Sequence, residues 1–332
     1  MTVGRHTKIY TERSRSEEFY LKQDFIDYLQ SIDLAQTTQK SYLINLNLFL
    51  KWLGNEEIQT TKKDVLKYLQ YLKINRNQTN ITRRNSLIAI NHYFTFLLQN
   101  EQITTNPTAL INIRGTKKRT LQRVFTPEEL QQLYDNYYHF FVRTYDNSHI
   151  PQNQRQHSFL SRNRNAAMLG FLVYQGVTPR EAERMLLQDV DFTKATIKIR
   201  GGKRGLDRTL PLKATQIGQL MHYVNQIRPQ FFSYCAESQR LFFALPPSGK
   251  ASTNSQHLIP SFATLIKQVK TIDRHFINLG QLRTSVITNW LKTEGLRKAQ
   301  YLAGHRNINS TEAYKPNQIE GLTEDITQYN PF

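Results

Sequence analysis

The chain has 332 residues, 39% of them hydrophobic, enough for two domain-sized cores. With 44 Lys and Arg against 26 Asp and Glu, its formal net charge is +18, the balance of a protein that meets a polyanion. A single cysteine, Cys235, excludes a disulfide framework and a cysteine-rich zinc site, while the polar, basic start and the lack of any apolar run of spanning length predict a cytoplasmic protein without a membrane partner.

Residues 1–18 read as a loose basic leader. From Glu18 to about Asn100 the spacing of apolar residues predicts helices. Phe25, Ile26 and Leu29 recur at helical spacing before Ser31 and Asp33. A second helix is predicted from Thr37 to Leu53, with Tyr42, Leu46, Phe49, Leu50 and Leu53 on one face and Gly54 as its stop. A third covers Lys62 to Leu72. A fourth opens at Thr79–Thr82 and carries Leu87, Ile90, Tyr93, Phe94, Phe96 and Leu97. Together they predict a small bundle over residues 19–104. Lys40, Lys62, Lys63, Arg83 and Arg84 fall near helix starts, where side chains and backbone N–H groups can both reach phosphates. Each alone reads as a solvated surface charge; as a group they are candidate DNA contacts.

Residues 105–123 read as a linker, broken by Asn106-Pro107. It carries Arg114, Lys117, Lys118, Arg119 and Arg123, a basic strap suited to closing on a duplex and equally to a flexible connection. A second domain, 124–332, opens at Thr126-Pro-Glu-Glu129, with a capping Thr, a first-turn Pro and two acids. Residues 145–162 are polar without a period and predict an exposed loop; Ala166 to Val177 predicts a buried helix. Then the period changes. Ile197 and Ile199 alternate with Lys198 and Arg200, a Gly-rich turn follows, and residues 207–212 return. This predicts a β-hairpin with Lys203 at its tip. From Phe262 onward the pattern is helical again.

Four segments of the second domain, "YQGVTPREAERMLLQDVDF", "GGKRGLDRTLPL", "LGQLRTSVITNWL" and "LAGHRNINSTEAY", carry chemistry-bearing residues in a fixed order. They resemble the tyrosine recombinases, or phage integrases, and most of all the integrases of Bacteroidetes-type mobile elements. The resemblance implies a mainly α fold with a small antiparallel β-sheet: an N-terminal SAM-like helical bundle and a C-terminal α+β catalytic domain. It also implies a site-specific recombinase that cuts and rejoins DNA through a 3′-phosphotyrosyl intermediate.

The resemblance carries site residues with it. The family's nucleophilic Tyr lies nine residues after a His; here His305 is followed nine residues on by Tyr314. Asn309, Ser310 and Glu312 predict a short helix start before that Tyr, and Pro316 its end. Arg283 stands at the family's phosphate-clamping Arg, and Lys203 at its hairpin lysine, which protonates the leaving 5′-oxygen. His305 would bind the scissile phosphate or accept the Tyr proton. A phenol is a weak nucleophile at its free pKa of about 10, so the site must stabilise the transferring phosphoryl group. One phosphoester is exchanged for another, so neither a cofactor nor a metal is expected.

Two positions depart from the family pattern. Thr178 stands where the first Arg is usual, and Gly280 where a His or Lys is usual. Arg180, two residues past Thr178, is the nearest candidate cation; Arg200, Arg204 and Arg208 flank the hairpin. The retained Tyr, Arg, His and Lys favour an active recombinase. Thr178 and Gly280 favour the alternative, a DNA-binding architectural or regulatory protein with a degenerate site. A nicking-closing enzyme of topoisomerase type shares the same tyrosine chemistry. The implied partners are double-stranded DNA and copies of the chain itself, a monomer or dimer when free and a tetramer on synapsed sites. Leu322, Ile326 and Phe332 in the tail are spaced to dock on a groove, in a neighbouring protomer or in the same chain.

Overall fold

A computed structural model describes residues 6–9, 19–54, 59–115, 123–202, 205–246 and 258–315. The chain divides into two compact units, Met1–Arg119 and Thr120–Phe332.

The first unit opens with an antiparallel pair, β1 (His6–Ile9) and β2 (Phe19–Lys22), in which His6 faces Lys22 and Ile9 faces Phe19. This corrects two expectations: part of the leader is a strand, and helix does not begin at Glu18. The segments His-Thr-Lys-Ile and Phe-Tyr-Leu-Lys are rich in β-branched and aromatic residues, which favour pairing. Four helices follow: α1 (Gln23–Ser31), α2 (Gln36–Leu53), α3 (Lys62–Ile74) and α4 (Asn80–Gln99). Their ends follow local chemistry. Gly54 takes φ 85° and stops α2. Thr61 and Asp64 form a capping box on α3, and the Thr79 hydroxyl accepts the Thr82 N–H at the head of α4. Phe25, Leu46, Phe49, Tyr68, Ile90 and Phe94 fill the interior, with Phe49 edge-on to Tyr68 at 5.0 Å between ring centres.

Beyond α4 the chain stays attached to the bundle. Ile103, Ile111 and Ile113 pack on its core, and buried Thr108 donates to Asn91 Oδ1 at 2.6 Å. Residues 105–115 of the expected linker thus belong to this unit in packing; Lys117, Lys118 and Arg119 lie outside the described residues.

The second unit begins with α5 (Pro127–Tyr138), started by the Thr126–Glu129 capping box and prolonged by one wide turn, His139–Arg143. The central element is α6 (Gln152–Tyr174). It overturns the loop expected over 145–162 for everything past Pro151. The missing period has a physical cause. The first turns of α6 are exposed, and its middle then buries polar Arg162, Asn163, Arg164 and Asn165 among apolar neighbours, so no one-sided stripe forms. Next come α7 (Pro179–Arg184) and a three-stranded antiparallel sheet in the order β3 (Val190–Asp191), β4 (Thr196–Ile199), β5 (Arg208–Pro211). Ile197 faces Leu210, as the hairpin pattern requires; β3 was not anticipated. The unit continues through α8 (Ala214–His222), α9 (Ile259–Ile272), α10 (Leu279–Ala303) and α11 (Asn309–Glu312). A break at Gly295, φ 75°, divides α10. Met168, Leu169, Phe171 and Leu172 of α6 pack with Leu133, Ile197, Ile199 and Leu282 in one core.

Candidate functional site

The candidate site forms where the start of α7, strand β5, helix α10 and the turn after it converge. The Thr178 backbone N–H and hydroxyl both donate to Glu181 Oε2, at 2.7 and 2.9 Å, and its hydroxyl oxygen accepts the Glu181 N–H. This capping box fixes the Glu181 carboxylate inward. Two guanidiniums share it: Arg208 Nη1 donates to Oε1 at 2.6 Å, and Arg283 Nη1 lies 3.5 Å from Oε2. Arg283 also donates to the Gly176 carbonyl at 2.5 Å and the Ala303 carbonyl at 2.8 Å.

His305 completes the cluster. Arg283 Nη2 and His305 Nε2 are 3.2 Å apart, and His305 Nδ1 is 2.9 Å from Thr311 Oγ1. A guanidinium only donates, so Nε2 must be the bare nitrogen and Nδ1 must carry the proton toward Thr311. Burial, reinforced by the charges of Arg283 and Arg208, pushes the His305 pKa down to about 4, so the ring is neutral near pH 7. Burial also pushes the Glu181 carboxyl up, but its bonds and charge pairing with Arg208 and Arg283 outweigh this and hold it below the usual range. Burial lowers the Arg283 pKa against the pull of Glu181 and Tyr314. Tyr314 stacks on His305 with 5.9 Å between ring centres and 14° between planes. It packs against Ile287, Leu291, Ala299 and Ala303. Helix α11 ends at Glu312, so Tyr314 sits in the turn after the helix rather than on it.

The turn geometry makes this closeness possible. Gly304 adopts φ 68° to cap α10, and a side chain there would collide with the Arg208 guanidinium. The Leu206 N–H donates to the Gly304 carbonyl at 3.0 Å, and Gly205 bridges His305, so the base of the hairpin turn clasps this segment.

The cluster thus gathers Arg283, His305 and Tyr314 from the expected set. Arg180 is not among them: it is exposed, because successive helical side chains point about 100° apart and Glu181 takes the inward position. Lys203 and Arg204 lie outside the described residues. Arg200 is committed to Asp189, with Nη2 2.7 Å from Oδ1. Gly280 opens the first turn of α10, and a Cβ there would meet only the capping Asn278 side chain. On the first unit Lys40, Lys62, Lys63 and Arg84 are exposed, whereas Arg83 is half-buried and donates to the Leu69 carbonyl and Asn80. Sequence reasoning gave no role to Glu181 or Thr311. For Glu181 the signal was present, since Thr-Pro-x-Glu is a capping box.

Known proteins share this architecture. Residues 123–320, more than half of the chain, match the phage integrase family, and residues 21–104 match its N-terminal SAM-like domain. Tyrosine recombinase XerC of Anoxybacillus flavithermus is 25% identical over 298 residues, covering 87% of this chain and 90% of that protein. Tyrosine recombinase XerD of Chlorobaculum tepidum is 27% identical over 299 residues, covering 87% and 89%. The fold resembles that of XerH recombinase bound to palindromic difH after cleavage (TM-score 0.62, 19% identity, 92% and 85% of the two chains). It also resembles a lambda integrase dimer bound to a COC′ core site (TM-score 0.57, 13% identity, 89% and 76%). The chain belongs to the phage integrase family, the tyrosine recombinases that cleave and rejoin DNA.

Proposed function

We propose that the protein recombines specific sites in double-stranded DNA with Tyr314 as nucleophile. The observation that carries this reading is the stacking of Tyr314 on a neutral His305, beside Arg283 and its Glu181 partner. Tyr314 Oη attacks the scissile phosphorus, and its proton passes to Nε2 of His305 as Arg283 Nη2 leaves that nitrogen for the phosphate. The P–O5′ bond breaks. The leaving 5′-oxygen takes a proton from Lys203, and the DNA 3′-phosphate stays on Tyr314. Attack by a 5′-hydroxyl reverses the step, and exchange of partners gives recombination. Arg283 neutralises charge on the phosphoryl oxygens as it develops.

Several features support DNA as the partner: the charge of +18, the exposed Lys40, Lys62, Lys63 and Arg84, and the DNA-bound state of the similar recombinases. Lys117, Lys118 and Arg119 extend that basic surface in sequence. The lambda integrase dimer supports action by more than one copy, with a tetramer on synapsed sites as the working assembly. Carriage on a mobile element of a Bacteroidetes-type bacterium and a place at the nucleoid complete the reading.

The test begins with a duplex that the full-length protein selects from a randomised pool. Rebuilt with a nick beside the scissile phosphate, it should trap a covalent adduct, and Tyr314→Phe should abolish it. A selected duplex that binds and never yields an adduct would sink the recombinase reading. An adduct persisting in Tyr314→Phe would move the nucleophile elsewhere.

A further inference from the structure

Two guanidiniums sharing one carboxylate is more positive charge than pairing requires, and one of them, Arg283, stands where the resemblance places an arginine. Thr178, at the usual place of the other, brings no charge, and its hydroxyl is spent on Glu181. We infer that Arg208 is a catalytic residue: the second phosphate-binding guanidinium of this site, reaching it from strand β5. This inference rests on the recombinase reading of the Tyr314 site.

Position comes first. In β5 the side chains alternate, and Arg208 shares the inward face with Leu210, where an apolar residue is the rule. Its side chain has 0% exposure. An interior arginine is costly unless its donors are used. Nη1 is used by Glu181, but Nε and Nη2 are buried without a hydrogen-bond partner. A fork with one prong on a carboxylate and two donors unspent is suited to an anion that arrives later.

Place in the cluster comes second. Glu181 holds Arg208 and Arg283 on its two oxygens, so both guanidiniums lie beside the segment that carries His305. Gly304 lets the Arg208 guanidinium press against that turn. As their neighbour, the positive charge of Arg208 adds to burial in lowering the pKa values of both His305 and Arg283. The other described cations near Thr178 are less well placed: Arg180 and Arg184 are exposed, and Arg200 is bound to Asp189.

The geometry adds a condition. Residues 205–206 clasp Gly304 and His305 beside Arg208. Nε and Nη2 are buried, so they meet a phosphate only when their cover opens as a duplex is seated.

The experiment uses the full-length protein and the nicked selected duplex, with either a natural phosphodiester or a methylphosphonate at the scissile position. A methylphosphonate lacks one charged oxygen and so needs one cation less. Arg208→Ala should bind the duplex within a few-fold of the parent but form adduct on the phosphodiester at least about 100-fold more slowly. On the methylphosphonate it should recover to within about tenfold of the parent. Arg208→Lys keeps a charge for Glu181 and guards against misfolding; it should fall between parent and Arg208→Ala on the phosphodiester. Parent-like adduct formation by Arg208→Ala on the phosphodiester would overturn the assignment. So would equal loss on both substrates by Arg208→Ala and Arg208→Lys, the mark of a purely structural arginine. A parent that binds and forms no Tyr314 adduct overturns the recombinase reading itself, and this assignment with it.

Discussion

The two units bury different chemistry. Among the described residues, the buried polar side chains of the bundle are Asn47, Ser86 and Thr108, none of them charged. The second unit buries Arg162, Arg164, Glu181, Asp189, Arg208 and Arg228. Apolar burial stabilises by area and shape, whereas a buried charge destabilises until it is paired. The bundle therefore reads as a holder, and the second unit as a holder that also maintains an arrangement of charge. Losses in the core of the bundle should affect stability and leave the chemistry unchanged. Losses at the Glu181 cluster should affect stability and chemistry together.

The largest effect is expected at Glu181. Glu181→Gln leaves two guanidiniums without their shared carboxylate and should destabilise the second unit by about 4 kcal/mol. Adduct formation by the fraction still folded should fall as well. Urea unfolding followed beside adduct yield checks both; an unchanged midpoint would show that the carboxylate is not what holds the pair. Leu46→Ala, wholly within the bundle core, is the contrast. It should cost about 3 kcal/mol through lost burial and a residual cavity. Adduct formed per bound duplex, measured below the unfolding transition, should stay at the parent's value. A drop there would erase the distinction between the units.

What could be read in the sequence follows the same division. In the bundle, period and caps agree: Thr79, Gly54 and the Phe94 face each mark what the structure contains. The second unit defeats periodicity where polar groups go inside, as along α6 from Arg162 to Asn165. Tyr314, Arg283 and His305, which the structure brings together, were marked by the family resemblance, His305 and Tyr314 through its nine-residue spacing, which owes nothing to burial. Arg208 was legible in part. It breaks the alternation that Leu210 and Leu212 keep, yet only its three-dimensional partner, Glu181, distinguishes it from Arg180 or Arg200. The pairing of His6–Ile9 with Phe19–Lys22 was beyond a local reading, because a strand becomes one only when its partner is found.

Acid should separate the two units by cause. The His305 pKa in the folded chain, about 4, lies below the ordinary 6.5. The unfolded chain therefore takes up the proton first. The contribution of His305 to stability is complete above about pH 6.5 and is lost as pH falls toward 4, amounting to about 1 kcal/mol once solvent screening is allowed for. His92 in the bundle is also held low, but by burial alone, whereas His305 feels Arg283 and Arg208 as well. Imidazole titrations followed by NMR should thus show His305 moving upward with added salt and His92 staying in place. Equal salt responses would remove the charge cluster as the cause.

The smallest effects should separate two neighbouring cations of the bundle. Arg83 donates to the Leu69 carbonyl at 3.0 Å and to Asn80 at 3.1 Å, tying α3 to α4. Arg83→Ala should therefore lower stability by about 1 kcal/mol. Its effect on the salt dependence of duplex binding should be slight. Lys62 stands exposed at the first position of α3. Lys62→Ala should leave unfolding unchanged and reduce the slope of log affinity against log salt by about 0.9, the value of one phosphate contact. The two variants should thus exchange signatures, one in urea and one in salt. If Arg83→Ala carries the salt effect instead, its guanidinium leaves Leu69 for the backbone of DNA, and the bundle too keeps a charged group in reserve.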